Sequence, residues 1–256
     1  MNSGFTDARP LQVRIADELR GKIDDGAYAP GQQLPTLDEL GEHFKCSLAA
    51  IRKAIDILKQ QGVVVTIQGR GTFVRDRPHA RRHGIERYSR SRWRAGKPIL
   101  VAEVEKQGRT ADQLIRELAE VPAPPLVAQR LGIDPDTPVW VRRRTTLIDG
   151  RPNQLADSYY ELSVVRDTAI MQEHTGPGGG FARLEEQGLT LDRITEELSV
   201  RMPTGPETVT LQLPPGTPVV DLVRTTYAAN ERPVEVMLAV IAGDMVAFHY
   251  DFSIPD

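Results

Sequence analysis

The sequence has a single cysteine and no long apolar run. Cys46 alone cannot form an intramolecular disulfide or supply a multi-cysteine metal site. No stretch approaches the roughly 18 to 20 consecutive apolar residues that a membrane-spanning helix needs. The first ten residues lack the charged-then-apolar pattern of a secretion signal. We therefore expect a cytoplasmic protein with no membrane partner.

Catalytic and metal-binding motifs are missing as well. The chain has no GxSxG elbow, no GxxxxGKS or GxxxxGKT phosphate loop and no HExxH pair. Its five histidines show no spacing typical of metal ligands. The sequence thus predicts neither an enzyme nor a protein with a metal ion or other cofactor.

Charge is distributed unevenly along the 256 residues. Residues 1–97 contain 18 Lys and Arg against 11 Asp and Glu, a net charge of +7, whereas residues 98–256 contain 14 against 24, a net charge of -10. A basic segment suits a polyanionic partner, and an acidic one favours solubility without nucleic-acid contact. Two domains with different roles are expected.

The stretch from Leu34 to Val74 has the pattern of a winged helix-turn-helix. Thr36 and Glu39 form a capping box before a short helix, and Ser47 can cap a second helix whose apolar residues recur three and four apart. β-Branched residues then flank a glycine-containing turn, which predicts a hairpin, the wing. Leu11 to about Asp25 has helical periodicity and should form the first helix of this domain.

This arrangement predicts contact with double-stranded DNA. The second helix of such a motif enters the major groove, and a glycine-rich wing can approach the sugar-phosphate backbone closely. The opposing interpretation is a merely solvated helix face. The candidate DNA-binding residues lie at the two helix starts and in the wing: Thr36, Ser47, Ala49, Ala50, Arg52, Lys53, Gln68, Gly69, Arg70, Gly71 and Thr72.

Residues 11–74 resemble the GntR family of regulators. The shared positions are Leu34-Pro35, Leu40, Ser47, Arg52, Ala54, Leu58, Gly62, Gly69 and Gly71-Thr72-Phe73-Val74. The family often has a basic residue in place of Asp38, and an arginine and a threonine in place of Leu48 and Ala49. These departures imply an unusual operator, read chiefly through Arg52, Lys53, Arg70 and the Gly69 backbone.

Residues 1–76 are thus predicted to be the DNA-binding domain, 77–96 a basic linker and 97–256 a second domain. The second domain contains an internal repeat. A Thr-Pro-Val segment at Thr137 precedes a Thr-Thr pair and a turn, and the same pattern recurs at Thr217. Each copy predicts an antiparallel hairpin. Helices are expected over residues 110–120, 181–187 and 191–201, which makes the fold class α+β.

The second domain resembles the UTRA ligand-sensing domain of the HutC subgroup, which has a chorismate-lyase-like α/β fold with an antiparallel sheet. The resemblance rests on Arg142-Arg143-Arg144, on Asp149 to Pro152 with Asp157-Ser158-Tyr159, on Leu184 to Leu189 and on Arg232 to Glu235. It implies that a small-molecule effector binds between the two hairpins.

The residues themselves suggest an anionic effector. Arg142 and Arg144 are two apart on a predicted strand, so they share a face and can clamp an anion. The predicted effector-binding residues are Arg142, Arg144, Gln154, Ser158 and Glu235. The alternative is a solvated strand face with ion pairs, such as one between Arg144 and Glu235.

Together these features predict a bacterial DNA-binding regulator: a homodimer that binds a palindromic operator and acts as a repressor released by a small molecule. One recognition helix reads only a few base pairs, so specificity requires two. Three alternatives stay open: a regulator whose second domain only dimerises, a chorismate-lyase-like enzyme, and a nonspecific DNA-coating protein.

Overall fold

The computed structural model describes residues 7–75 and 80–254. Residues 1–6 lie outside the described part, and they belong to the segment in which we expect no secretion signal. Residues 77–79 of the expected linker also lie outside it. The chain divides into two compact units, residues 1–77 with 213–217, and residues 78–212 with 218–256. Each unit has hydrophobic cores of its own.

The first unit is the predicted winged helix-turn-helix. Its helices are α1 (Leu11–Asp24), α2 (Leu37–Phe44) and α3 (Leu48–Gln60), and its wing consists of the antiparallel strands β1 (Val64–Ile67) and β2 (Gly71–Val74). Ile15, Leu19, Ile51 and Leu58 lie at the centre of its core. The helix faces that were predicted from periodicity are the faces that pack together.

Both predicted helix caps are present. The Thr36 hydroxyl accepts a hydrogen bond from the Glu39 amide, and the Glu39 carboxylate accepts one from the Thr36 amide at 2.7 Å. The Ser47 hydroxyl accepts a bond from the Ala50 amide at 3.3 Å. Lys45 ends α2 in the left-handed conformation, with φ of 50°. These local signals fix where α3 begins, and therefore which side chains its first turn presents.

The expected linker differs from the prediction. Strand β3 (Ala80–His83), a 3₁₀ turn (Ile85–Tyr88), α4 (Arg90–Arg94) and α5 (Ile99–Glu105) occupy this region and the start of the second unit. Arg82 and Arg87 are buried. The composition suggested solvated arginines, but these two have partners inside the unit, and a buried, hydrogen-bonded arginine can belong to a folded core.

A six-stranded antiparallel sheet dominates the second unit, in the order β4-β5-β6-β9-β8-β7. Its strands are β4 (Ala111–Pro122), β5 (Pro138–Ile148), β6 (Arg151–Glu161), β7 (Leu191–Arg201), β8 (Val219–Ala228) and β9 (Pro233–Ala242). The helices of this region are α6 (Pro125–Leu131), α7 (Leu162–Val165), α8 (Gly179–Glu186) and α9 (Gly205–Thr210), with a 3₁₀ turn at Ala169–Met171. Strand β10 (Val246–His249) pairs in parallel with β3 in a separate small sheet.

The internal repeat covers more than the two hairpins. The series α5-β4-α6-β5-β6 recurs as α8-β7-α9-β8-β9, and the first three elements of each series start 80 residues apart, at 99 and 179, 111 and 191, and 125 and 205. Register is repeated too, since Gln154 lies opposite Thr146 and Glu235 opposite Thr226. The predicted hairpins β5–β6 and β8–β9 are confirmed, and the strand order relates the two halves by a pseudo-two-fold axis between β6 and β9.

Two predicted helices are wrong. Residues 110–120 and 191–201 form the edge strands β4 and β7 instead. Leu114 and Leu118 are four apart, as on a helix, and both segments contain many good helix formers. Pairing with β5 and β8 overrides this local preference, because cross-strand contacts determine strand formation more than intrinsic propensity does.

Candidate DNA-binding face and ligand cavity

A groove in the first unit brings together four of the predicted DNA-binding residues. Thr36, Arg52, Gly71 and Thr72 line a concavity of about 380 Å³ between the start of α2, the outer face of α3 and the wing. Arg52 and its neighbour Lys53 are exposed, and no carboxylate of the described residues lies within 4.0 Å of either. Such cations at the rim of a groove are suited to phosphate contact.

The first turn of α3 has short or apolar side chains and no charged one. Ser47 caps the helix, Ala49 is exposed, Ala50 is half-buried, and Leu48 is 38% exposed. The Thr36 hydroxyl already donates to Glu39 at 2.8 Å. This turn therefore offers only short polar or apolar side chains, and the exposed cations of α3 nearest to it are Arg52 and Lys53, one turn further along.

The wing presents backbone and one arginine. Gln68, Gly69 and Arg70 are exposed at its tip. Gly71 has φ of 112°, and an added Cβ would lie 2.5 Å from Nε2 of Gln33, which donates to the Arg70 carbonyl at 3.0 Å. Position 71 therefore favours glycine for its backbone conformation, and a side chain there would also displace the end of the exposed Gln33 side chain.

The second unit contains a polar cavity of about 110 Å³ on the inner side of the sheet. Its lining comes from β3, the following 3₁₀ turn, the start of α5, the strands β4, β5, β6, β8 and β9, and the start of α8. Four arginines and one carboxylate contribute to the lining, together with polar and aromatic groups: Arg82, Arg87, Arg144, Arg224, Glu235, Gln154, Tyr160 and Phe181. The positive charges outnumber the negative ones.

Glu235 is the centre of a saturated hydrogen-bond cluster. Its carboxylate accepts from Arg224 at 2.7 Å, from the Tyr160 hydroxyl at 2.8 Å and from the Thr226 hydroxyl at 3.1 Å. Burial acts to raise the pKa of Glu235, but the Arg224 charge and the Tyr160 hydrogen bond outweigh it and hold the pKa below its ordinary value. Glu235 is thus an ion whose partner is Arg224, not Arg144.

The predicted pair of arginines on β5 is not assembled into one clamp. Arg144 lines the cavity and donates to the Ser158 hydroxyl at 2.7 Å. Arg142 instead donates to backbone carbonyls of the segment after the 3₁₀ turn, to Gln172 and, at 2.6 Å, to Glu173. Strand alternation placed the two arginines on one face, but the acceptors of this segment bind the first of them.

Three of the predicted effector residues line the cavity: Arg144, Gln154 and Glu235. Ser158 is outside the lining but accepts a hydrogen bond from Arg144. Arg142 is also outside the lining. Arg82 and Arg87 were not predicted, because their region has the composition of a linker. Arg82 donates to the Gln154 side-chain oxygen at 3.0 Å. Arg87 pairs with Glu103 at 3.3 Å. No spacing signal in the sequence distinguishes these two from the neighbouring arginines.

Glycines allow α8 to begin at the cavity. Gly178, Gly179 and Gly180 all line it, and Gly178 has φ of 79°. A Cβ at Gly178 would lie 2.5 Å from the Trp93 carbonyl oxygen and 2.7 Å from Ala182 Cβ. Glycine is therefore required where the chain turns into the helix, and the first amides of α8 stay close to the cavity.

The described residues form neither a metal site nor a membrane span. No group of three or more His, Cys, Asp or Glu side chains within residues 7–75 and 80–254 is arranged to hold a metal ion. No helix in the same ranges combines the length and apolar character needed to cross a membrane.

Comparison with protein families gives two matches. The family model of bacterial regulatory proteins of the gntR family matches residues 11–74, and the UTRA domain model matches residues 106–247. An HTH-type transcriptional regulator of Streptomyces coelicolor is 35% identical over 253 residues, which is 96% of this chain and 94% of that protein. The mannosyl-D-glycerate transport/metabolism system repressor MngR of Escherichia coli is 26% identical over 229 residues, 89% of each chain.

Solved structures show the same two-part architecture. A GntR-family transcriptional regulator has a TM-score of 0.66 and 28% identity, and the match covers 96% of this chain and 99% of that one. PhnF from Mycobacterium smegmatis has a TM-score of 0.60 and 21% identity, with 94% and 100% covered, and it supports the fold alone.

Proposed function

Because the chain belongs to the gntR family of bacterial regulatory proteins and carries a UTRA domain, we propose that it is a cytoplasmic repressor released by a small anionic effector. In this proposal residues 1–76 bind a palindromic operator, and residues 97–256 bind the effector and join two copies into a homodimer. The observation that carries the DNA-binding part is the groove where Thr36, Arg52, Gly71 and Thr72 meet.

The DNA-binding face supports a specific mode of contact. In a winged helix-turn-helix the second helix enters the major groove, so α3 would present Arg52 and Lys53, while Gly69 and Arg70 of the wing would approach the adjacent backbone. The short side chains at the start of α3 make few hydrogen bonds to base edges. Backbone contacts therefore contribute most of the affinity, which should fall steeply with salt.

An exposed apolar surface on the second unit supports dimerisation. Leu198 and Val200 alternate along the edge strand β7, and Met202 follows; the exposures of Val200 and Met202 are 69% and 61%. Val209 on α9 is 77% exposed. Arg201 fixes α9 beside the end of β7 by a double hydrogen bond to Glu207, at 2.7 Å each. An apolar surface at a sheet edge is a site where a second copy of the chain can bind.

The cavity supports regulation by a ligand. It is enclosed by the two halves of the repeat and contains more arginines than carboxylates. Among the described residues the Arg144 side chain has only a hydroxyl as its partner, so its charge is available to an anion. That one relative is named a repressor supports repression as the mode of action. A ligand that favours one spacing of the two DNA-binding domains would weaken operator binding through a coupling of about 1 to 3 kcal/mol.

The proposal is tested by selecting random duplex DNA on the full-length protein at near-physiological salt. Enrichment of a two-fold symmetric site is expected. The recovered site is then used to screen small anionic metabolites for those that release the protein. Enrichment without a symmetric motif would argue for nonspecific coating, and a site that no anion releases would favour a second domain that only dimerises.

A further inference from the structure

Arg82 is a buried cation that forms no ion pair with a carboxylate of the described residues. It is 5% exposed, lines the cavity and has the Gln154 side-chain oxygen as its hydrogen-bond acceptor, at 3.0 Å. Its guanidinium carbon lies 5.4 Å from the centre of the Phe248 ring on the neighbouring strand β10. Its Nε atom is buried with no hydrogen-bond acceptor among the described residues. No carboxylate oxygen of those residues lies within 4.0 Å of this side chain.

The other cavity arginines form two classes. Arg224 is paired with Glu235 at 2.7 Å, and Arg87 with Glu103 at 3.3 Å and Glu196 at 3.9 Å. Arg144 has a neutral partner, as Arg82 does. Burial lowers the pKa of Arg82 to about 10, with the nearby Arg87 charge adding to the effect, and burial also lowers the pKa of Arg144. The charges of Glu196 and Glu103 oppose this effect at Arg82, and those of Glu235 and Asp157 oppose it at Arg144, but no carboxylate of the described residues forms an ion pair with either arginine. The two guanidinium charges at the cavity are therefore desolvated and only partly compensated.

The internal repeat shows where the missing negative charge would be. Arg144 and Arg224 are equivalent, and so are Gln154 and Glu235, which lie opposite equivalent threonines. In the second half the carboxylate neutralises its arginine. In the first half an amide occupies that position, so neither Arg144 nor Arg82 gains an ionic partner from it. The imbalance is confined to one side of the cavity.

We infer that Arg82 is a ligand contact, and that Arg82 and Arg144 together make this cavity selective for a small dianion, either a phosphate monoester or a dicarboxylate. The inference deepens the proposed function and rests on it. Two negative charges on the ligand would compensate both desolvated guanidinium groups, whereas one would leave the second uncompensated. Arg82 would exchange the Gln154 oxygen for an oxygen of the ligand.

This contact also gives a route from the ligand to the DNA-binding domain. β3 begins at Ala80, six residues after the wing strand ends at Val74. A ligand held by Arg82 therefore acts on the segment that leads directly from the wing, whereas a ligand held by Arg144 alone acts on the central sheet. Changing Arg82 should accordingly weaken the effect of the ligand on operator binding together with ligand affinity.

The test compares two matched probes on the full-length protein by isothermal titration calorimetry at pH 8 and constant ionic strength. Methyl phosphate is a dianion at this pH, since its second pKa is about 6, and dimethyl phosphate is a monoanion of similar shape. Succinate and its monomethyl ester repeat the comparison for dicarboxylates, so the two ligand types are distinguished. We expect at least one dianion to bind about tenfold or more tightly than its monoanion.

Arg82→Gln should abolish this preference by lowering affinity for the dianion to that for the monoanion. Arg81→Gln is the matched control: Arg81 is exposed on the same strand, and its backbone, not its side chain, exchanges hydrogen bonds with Gln107, so the preference should persist. Arg82→Lys keeps the charge and should retain part of the preference, which covers the case in which Arg82→Gln fails to fold.

Gln154→Glu gives a second test, in which thermal stability and dianion affinity should change in opposite directions. The new carboxylate would neutralise Arg82 and Arg144, so the melting temperature should rise while dianion affinity falls about tenfold or more. Equal binding of dianions and monoanions, or equal loss of both in Arg82→Gln, would overturn the inference but leave an effector-controlled repressor intact. If no anion binds while the operator still does, the inference and the effector part of the proposed function both fail.

Discussion

Gln154 and Glu235 occupy equivalent positions on β6 and β9, each opposite a threonine and each next to an irregularity in strand pairing, yet only Glu235 is an acid. The second half of the repeat thereby contains a complete buried ion pair, Arg224 with Glu235. The first half contains the same arginine without its carboxylate. The two halves of the sheet therefore differ in charge balance, because Arg224 has a carboxylate partner and Arg144 has a hydroxyl.

Glu235→Gln should destabilise the second unit at neutral pH by about 3 kcal/mol, because it leaves Arg224 buried without a counter-charge. The pKa of Glu235 is depressed in the folded protein. Its contribution to the free energy of unfolding is therefore full above the unfolded pKa of about 4.3 and is lost as pH falls through the folded value. Denaturant unfolding from pH 7 to pH 3 should show the difference between wild type and variant shrinking.

Glu186→Gln serves as the control for that experiment, because Glu186 is 57% exposed and pairs with Arg183 on the surface of α8. Its effect should be small at every pH. A Glu235→Gln penalty that stayed constant down to pH 3 would mean that the ion pair is not its source.

Arg52→Ala should weaken operator binding about tenfold or more, since it removes a cation at the rim of the groove that no described carboxylate neutralises. Fluorescence anisotropy over a range of salt concentrations measures both the affinity and its salt dependence. Lys106→Ala removes the same charge from an exposed position in the second unit and should leave affinity unchanged. Equal affinity of Arg52→Ala and wild type would remove Arg52 from the DNA interface.

Gly71→Ala should weaken DNA binding through the wing. The φ of 112° is unfavourable for alanine, and the methyl group would lie 2.5 Å from Gln33 Nε2, so the hydrogen bond from Gln33 to the wing is disturbed. Gly69→Ala has a φ of 71° but nothing within 4 Å of the new methyl group, so its loss of thermal stability reports backbone strain alone, of about 1 to 2 kcal/mol. Thermal denaturation of both variants separates the two effects, and fluorescence anisotropy measures the DNA affinity of Gly71→Ala. Similar losses of thermal stability in the two variants would show that the Gln33 contact has no role.

Val200→Asp should convert the proposed homodimer to monomers, because it places a charge in the exposed apolar surface of β7. Sedimentation velocity at micromolar concentration measures the state directly. Leu114→Asp is a suitable control: Leu114 is 54% exposed on β4, at the opposite edge of the same sheet. A Val200→Asp protein that sediments like the wild type would place the dimer interface elsewhere.

Local signals in the sequence were sufficient for the first unit. The Thr36 capping box, the Ser47 cap and the glycines of the wing act within a few residues, and each is present in the structure. The repeat likewise predicted both hairpins of the sheet. These features depend on interactions between residues that are close together in the sequence.

Features that depend on distant partners were missed. β4 and β7 have helical spacing, and only their pairing with β5 and β8 makes them strands. Arg82 has the surroundings of a linker residue in the sequence, and its burial at the cavity depends on Gln154, 72 residues later, to which it donates a hydrogen bond. Arg142 likewise lies apart from the other predicted effector residues, because it donates to backbone carbonyls of the segment after α7.

The parallel pairing of β3 with β10 has a consequence for synthesis. The core of the first unit is made of residues up to Val74, so it can form while the rest of the chain is still being translated. Residues 80–83 must wait for residues 246–249 before their strand has its partner. A ribosome-bound chain would therefore have a folded winged helix-turn-helix well before its second domain is complete.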